Sequence, residues 1–209
     1  TGPSYLAGWR RLWFGWYGFN AGSEFGVDSV TAIAFLNTDT AASFAAVTWL
    51  FLAWFIEKRP SFVGLLTGSV AGLATITPAA GYVTIHSAVL IGIVSGVVCY
   101  FAVTLKNKLG WDDALDVWGV HGVGGLIGII MLGIFASKSI NPAGADGLLY
   151  GNWHFFAKQL VAIVFSSIYA LLFTYGMLYL INKITPVRVT PEEEEKGLDE
   201  TLHGETAYL

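Results

Sequence analysis

The chain has 209 residues, 55% of them apolar and only 12% charged, with a mean hydropathy of +0.61. A soluble domain carries about 25% charged residues, and a disordered chain is poor in apolar and aromatic side chains, so neither class fits. Eleven Lys and Arg against 15 Asp and Glu give no reason to expect a nucleic-acid partner, which leaves a polytopic membrane protein.

Spanning helices need about 20 largely apolar residues, and six candidates follow one another. The first, about Leu12 to Ala21, is short and aromatic and needs Tyr5 to Trp9 to reach across. The others are expected near 30–56, 62–78, 84–105, 115–137 and 155–182. Continuous apolar runs in place of strict alternation make them helices, not barrel strands. The fold class is therefore all-α. After Pro186 the composition turns polar, with four glutamates at 192–195, so residues 1–185 read as the membrane domain and 186–209 as a soluble tail. In that tail Leu198, Leu202, Tyr208 and Leu209 are apolar enough to dock on something.

Six spans put both termini on one side. That side would hold Arg10, Arg11, Lys58, Arg59, Lys106, Lys108, Lys183, Arg188 and Lys196, nine of the eleven basic residues, and the other only Lys138 and Lys158. The positive-inside bias then makes both termini cytoplasmic and the connection with Ser23, Glu24 and Asp28 external. Gly64, Gly68 and Gly72, Gly92 with Gly96, and Gly124 with Gly128 repeat every four residues. That spacing lets helix backbones approach closely in lipid.

Polar groups at membrane depth are expensive and mark pathways. His121 lies about one and a half turns inside a glycine-rich span, in Asp116-Val-Trp-Gly-Val-His-Gly-Val-Gly-Gly. Two readings compete: an interhelical hydrogen bond that only fixes packing, and an imidazole beside a narrow lumen that exchanges one hydrogen bond or a proton. Gly119, Gly122, Gly124 and Gly125 would leave room beside the ring and favour the second.

The run from Trp13 to Ser23 reads in part as an interfacial aromatic belt, which accounts for Trp13 and Tyr17. Trp16, Phe19 and Ser23 stand at i, i+3 and i+7 on one helical face. Aromatic faces attract cations, and a hydroxyl accepts from a donor cation. Thr77-Pro78 interrupts the third span and would free carbonyls toward a cavity. Asp39 is an unpaired acid early in the second span. It belongs either to the external headgroup region, the favoured reading, or to cation attraction.

Cys99, the one cysteine, offers neither an internal disulfide nor a Cys-based metal site. No cofactor is expected. The Thr-Gly-Pro start, without Met, reads as processed, engineered or fragmentary, and no basic, short-core signal peptide with a cleavage site stands there.

The stretches Trp-Phe-Gly-Trp-Tyr-Gly-Phe-Asn-Ala-Gly-Ser (13–23), Ala-Phe-Leu-Asn-Thr (34–38), Ile-Thr-Pro-Ala-Ala-Gly-Tyr (76–82) and Asp-Val-Trp-Gly-Val-His-Gly-Val-Gly-Gly (116–125) closely resemble the Amt/Mep ammonium transporters. So does the tail Gly-Leu-Asp…His-Gly-Glu-Thr-Ala-Tyr (197–208). The resemblance runs collinearly from about residue 12 to the end. It implies a fold of two five-helix inverted repeats plus a last long helix, assembled as a trimer with one pore per subunit. Ser23 would match the external recruitment serine, Phe19 one of two stacked gate phenylalanines, and His121 the second of twin pore histidines. Trp16 would line the pore with Thr77 nearby. Cytosolic PII-type proteins block many members from inside, and the tail packs on a neighbouring subunit.

Only the second repeat and last helix are covered, so the other histidine, the other gate phenylalanine and the recruitment tryptophan would lie elsewhere. Arg10-Arg11 stands where an apolar helix usually continues, and Asp39 where a neutral residue is usual. The implied function is passage of ammonium or ammonia in an assembly with a first-half polypeptide, in the plasma or inner membrane. The alternative is a non-conducting structural or regulatory fragment that binds a PII-type protein or a neighbouring subunit. A membrane enzyme built on His121 lacks any paired nucleophile or metal-ligand spacing. Residues 1–209 alone are not expected to conduct as a monomer.

Overall fold

Local capping chemistry sets the helix boundaries in a computed structural model that describes residues 2–206, with side chains from residue 6 onward. The Tyr5 side chain, Tyr208 and Leu209 lie outside the described residues. Helix α1 runs Gly2–Gly22. Asp28 caps α2, Ser29–Glu57, by accepting from the N–H groups of Val30 and Thr31, and those bonds hold its carboxyl below the usual carboxylate range. Ser61 caps α3, Phe62–Ile76, and Thr84 caps α4, Ile85–Leu109. Gly110, at φ +66°, closes α4 in the left-handed conformation that glycine adopts freely. A π-helical turn, Trp118–Val123, leads into α5, Gly124–Phe135. A 3₁₀ turn, Leu148–Tyr150, precedes α6, Trp153–Ile181.

No strand occurs among the described residues, and the all-α class holds. Among the described residues four segments are long and apolar enough to cross a membrane: Ser29–Glu57, Ile85–Leu109, Trp118–Phe135 and Trp153–Ile181. The two other expected spans are present as helices with different character. Helix α3 is apolar but stops after 15 residues, because Pro78 has no N–H to continue it. Helix α1 has 21 residues but carries exposed Arg10 and Arg11 near its middle.

The chain divides into two compact units, Thr1–Ile163 and Val164–Leu209. In the first, α2 is the centre. Ala41, Ala42 and Ala45 are fully buried, and the glycines of α3 and α4 close on them from two sides. A methyl at Gly72 would stand 2.5 Å from the Ala41 carbonyl oxygen, and one at Gly92 2.6 Å from the same atom. Gly68 and Gly96 crowd the Ala45 carbonyl at 3.0 and 2.9 Å in the same way. Such distances forbid any side chain, so the four-residue glycine repeats of α3 and α4 are packing positions.

In the second unit, Phe165, Tyr169 and Phe173 stack successively along α6. Helix α7, Pro191–Lys196, opens with a capping box: Thr190 accepts from the Glu193 N–H while the Glu193 carboxylate accepts from the Thr190 N–H. Three glutamates in its first turn complement the helix dipole.

Gly72→Leu is expected to destabilise the detergent-solubilised protein by about 1–3 kcal/mol or more through overpacking. Gly125→Ala, where an added methyl meets nothing within 4 Å, should stay within about 0.5 kcal/mol of the parent. Denaturation midpoints of the two variants check this.

Candidate functional site

Helix α1 is mounted on its neighbours by side-chain hydrogen bonds. The Trp9 indole donates to the Ser69 hydroxyl, and the Asn20 amide donates to Thr38 at 2.9 Å. The Trp13 indole donates to the Tyr17 hydroxyl, which donates in turn to the Asp39 carboxylate. Asp39 is therefore not an unpaired acid: Tyr17 satisfies it, and Phe35 stacks on the Tyr17 ring at 4.1 Å. Trp13 and Tyr17 likewise do more than form a belt.

These pins leave the other face of α1 free. Trp16 donates to the Thr77 hydroxyl at 2.8 Å, and Thr77 donates to the Leu73 carbonyl. The Trp16 ring lies nearly parallel to the His121 imidazole, at 14°, with centroids 6.1 Å apart, and meets Phe19 edge-on. Trp16, Phe19, Thr77 and His121 thus come together, with Leu12, Gly15 and Ala74, around an apolar cavity of about 510 Å³.

Ser23 stands apart from that group. It lines a smaller cavity, about 190 Å³, with Asn20, Glu24, Tyr82 and Asn141, and this cavity shares Phe19 and Thr77 with the first. The Ser23 hydroxyl donates to the Phe19 carbonyl one turn back, so its oxygen lone pairs remain for an incoming donor. On the opposite side a third cavity, about 520 Å³ and lined by Trp9, Leu66, Val70, Val117 and Val120 among others, shares Leu12 and His121 with the middle one. The three cavities form a row along α1, divided first at Phe19 and Thr77 and then at Leu12 and His121.

The turn that follows α3 is held from the central helix. The carbonyls of Ala80 and Val83 accept from the Asn37 amide, each at 2.8 Å. Asn37 is fully buried on α2, so the central helix holds the turn that carries Thr77.

His121 sits in the π turn and is exposed on one face. Of the four glycines around it, Gly125 faces open space and a methyl at Gly122 would just touch the Trp118 ring at 3.7 Å, but Gly119 presses on Val103 and Gly124 on Thr75. The loop before the turn is tied down by groups that sequence reasoning passed over. Lys106 donates to the Asp116 carboxylate at 2.6 Å and to the Asp113 carbonyl at 2.7 Å. The Asp113 carboxylate accepts from the N–H groups of Val117 and Trp118 at 2.9 and 2.8 Å. Burial pushes the Asp113 carboxyl up, but those two N–H groups and the Lys106 charge together hold it below its usual range.

Asn37→Ala is expected to leave two buried carbonyls unpartnered, at about 1–3 kcal/mol each. A lowered unfolding midpoint, with faster proteolysis at 77–84, is the readout.

The family model for the Ammonium Transporter Family matches residues 3–208. An ammonium transporter of Bacillus subtilis is 46% identical over 202 residues, covering 96% of this chain and 50% of that protein. Ammonium transporter Amt1 of Archaeoglobus fulgidus is 41% identical, covering 99% of this chain and 52% of that protein. The crystal structure of Candida albicans Mep2 superposes with a TM-score of 0.84 at 37% identity, covering 90% of this chain and 43% of that one. A structure described as a Sensor Amt Protein gives 0.80 at 36% identity, covering 93% and 47%. The chain spans about half the length of the relatives it matches.

Proposed function

Because this chain belongs to the ammonium transporter family, we propose that it forms one half of a pore for ammonium or ammonia. The observation that carries this reading is the row of three cavities along α1, in which neighbours share Phe19 with Thr77 and Leu12 with His121. An ammonium ion placed in such an apolar space without its hydration shell is disfavoured by tens of kcal/mol on the Born estimate. Recruitment must therefore be separated from passage. Ser23 accepts a hydrogen bond from the cation at the outer cavity, and the Phe19 ring closes the way beyond it. The proton leaves before the apolar cavity, and neutral ammonia passes Trp16 and Thr77 to His121, whose imidazole exchanges a hydrogen bond or a proton with it.

The exposed His121 and the open cavities call for a second wall. A first-half polypeptide supplies it, within a trimeric or higher assembly of the cell membrane. Residues 1–185 make the membrane part, and the tail from 186 lies in the cytoplasm, where a PII-type regulator or a neighbouring subunit can meet it. The relatives are named as transporters and not as enzymes.

Proteoliposomes given labelled methylammonium test the pore. Uptake is expected when a first-half partner is present and not with this chain alone. His121→Phe should preserve assembly while changing or abolishing flux. Failure of uptake in a verified assembly favours the non-conducting regulatory reading.

Orientation is tested separately. A cysteine replacing Glu24 should be labelled from outside intact cells, and one replacing Lys196 only after permeabilisation; native Cys99 is fully buried and silent. The reverse pattern overturns the cytoplasmic assignment of the termini.

A further inference from the structure

We infer that Lys106, acting with Asp116 and Asp113, is a positioning residue that fixes the π turn and thereby the direction in which His121 points. The inference rests on the reading of His121 as a pore group and concerns what holds it there. The Lys106 side chain is only 6% exposed, and lysine is almost never so buried without a partner. Its ammonium meets two groups of one loop, the Asp116 carboxylate and the Asp113 carbonyl.

That loop ends in a backbone conformation that needs support. Asp116 has φ +56°, in the left-handed region where a residue with a Cβ is strained. From there the chain turns into the helix: the Asp116 carbonyl accepts from the Val120 N–H at 2.9 Å, and the Asp113 carboxylate takes the N–H groups of Val117 and Trp118. One turn before Lys106 on α4, Val103 packs where a Gly119 methyl would stand, 2.7 Å away. Helix α4 therefore grips the π turn at two points on one face, by charge and by contact.

The consequence for His121 is rotational. A π turn holds one residue more than an α turn, and one residue on an α-helix is about 100° of rotation. If the segment Trp118–Val123 rewound as α-helix while α5 stayed docked through Gly124 and Gly128, His121 would leave the Trp16 ring and the seam between the middle and inner cavities. The Lys106–Asp116 pair stands at the start of that segment and opposes the rewinding.

Imidazole ¹⁵N spectra of the purified chain, labelled at its four histidines, read this without any transport. Lys106→Met is expected to shift the His121 signals while those of His86, His154 and His203 stay in place, and Lys106→Arg to restore them. Asp113→Asn, which loses one of the two caps at a half-exposed position, should give a smaller shift in the same sense and decides the matter if Lys106→Met does not fold. Unmoved His121 signals in a folded Lys106→Met or Asp113→Asn protein overturn the inference. In a conducting assembly Lys106→Met should lower the maximal methylammonium flux roughly tenfold with little change in half-saturation, since displacing a functional group by about 1 Å costs up to about a hundredfold. If the His121 signals move but His121→Phe leaves the flux of a verified assembly unaltered, the pore reading fails and the positioning role stands.

Discussion

Two backbone carbonyls, those of Ala41 and Ala45, constrain the rest of the first unit. Lipid offers helices no hydrophobic reason to associate, so attraction comes from close van der Waals packing. Packing this close requires glycine opposite each carbonyl on both α3 and α4. Once the three helices are drawn together, the hydroxyls of Thr75 and Ser95 meet at 2.9 Å between α3 and α4. The contact then passes outward to α5: a methyl at Gly124 would meet the Thr75 hydroxyl, and one at Gly128 would overlap the Thr75 carbonyl. The position of the segment bearing His121 thus descends, contact by contact, from the middle of α2.

Helix α1 obeys a different rule. Its Gly8, Gly15, Gly18 and Gly22 press on no neighbour; polar pins at Trp9, Trp16, Tyr17 and Asn20 fix it instead. Each such bond stabilises by about 0.6 kcal/mol in a membrane, so their value is chiefly rotational. With the donors at 9, 17 and 20 held by α2 and α3, residues 12, 15, 16 and 19 are set around the middle cavity. A helix carrying Arg10 and Arg11 gains little from apolar burial, and specific donors set its register.

Much of this was legible in the sequence because it follows from periodicity. Apolar run lengths gave α2, α3 and α6 to within two residues, though α1 starts well before Leu12 and α4 ends four residues later than expected. Pro78 explains the shortness of α3, and the helical spacing already set Trp16 and Phe19 together, with Ser23 one cavity further on. The π turn was not legible, because Asp116 to Gly125 reads as uninterrupted helix and one inserted residue leaves no compositional mark. Lys106 looked like one more cytoplasmic flanking charge, since its partners depend on the left-handed bend at Asp116. Asn37 and the Tyr17–Asp39 pair were missed for a similar reason: their partners lie 22 to 46 residues away, beyond any local pattern. Of the glycines beside His121, sequence could not separate Gly119 and Gly124, which pack tightly, from Gly122 and Gly125, which do not.

The polar inventory of the middle cavity limits what can dwell there. The Trp16 N–H is taken by Thr77, and the Thr77 proton by the Leu73 carbonyl, which leaves one lone pair on that hydroxyl. The His121 ring makes no hydrogen bond among the described residues and is the one group with a donor and an acceptor still to offer. A hydrated cation exchanges several hydrogen bonds with water, and these few sites cannot replace them. A small neutral molecule needs only one or two. On the proposed reading, selectivity against the charged form therefore follows from how few polar atoms face the cavity, and the imidazole can be useful there only if its direction is fixed. The rigidity of the Asp113–Asp116 loop and the scarcity of polar groups are in that sense one requirement: with a single hydrogen-bonding partner available, its orientation decides whether the row of cavities is continuous for the molecule passing along it.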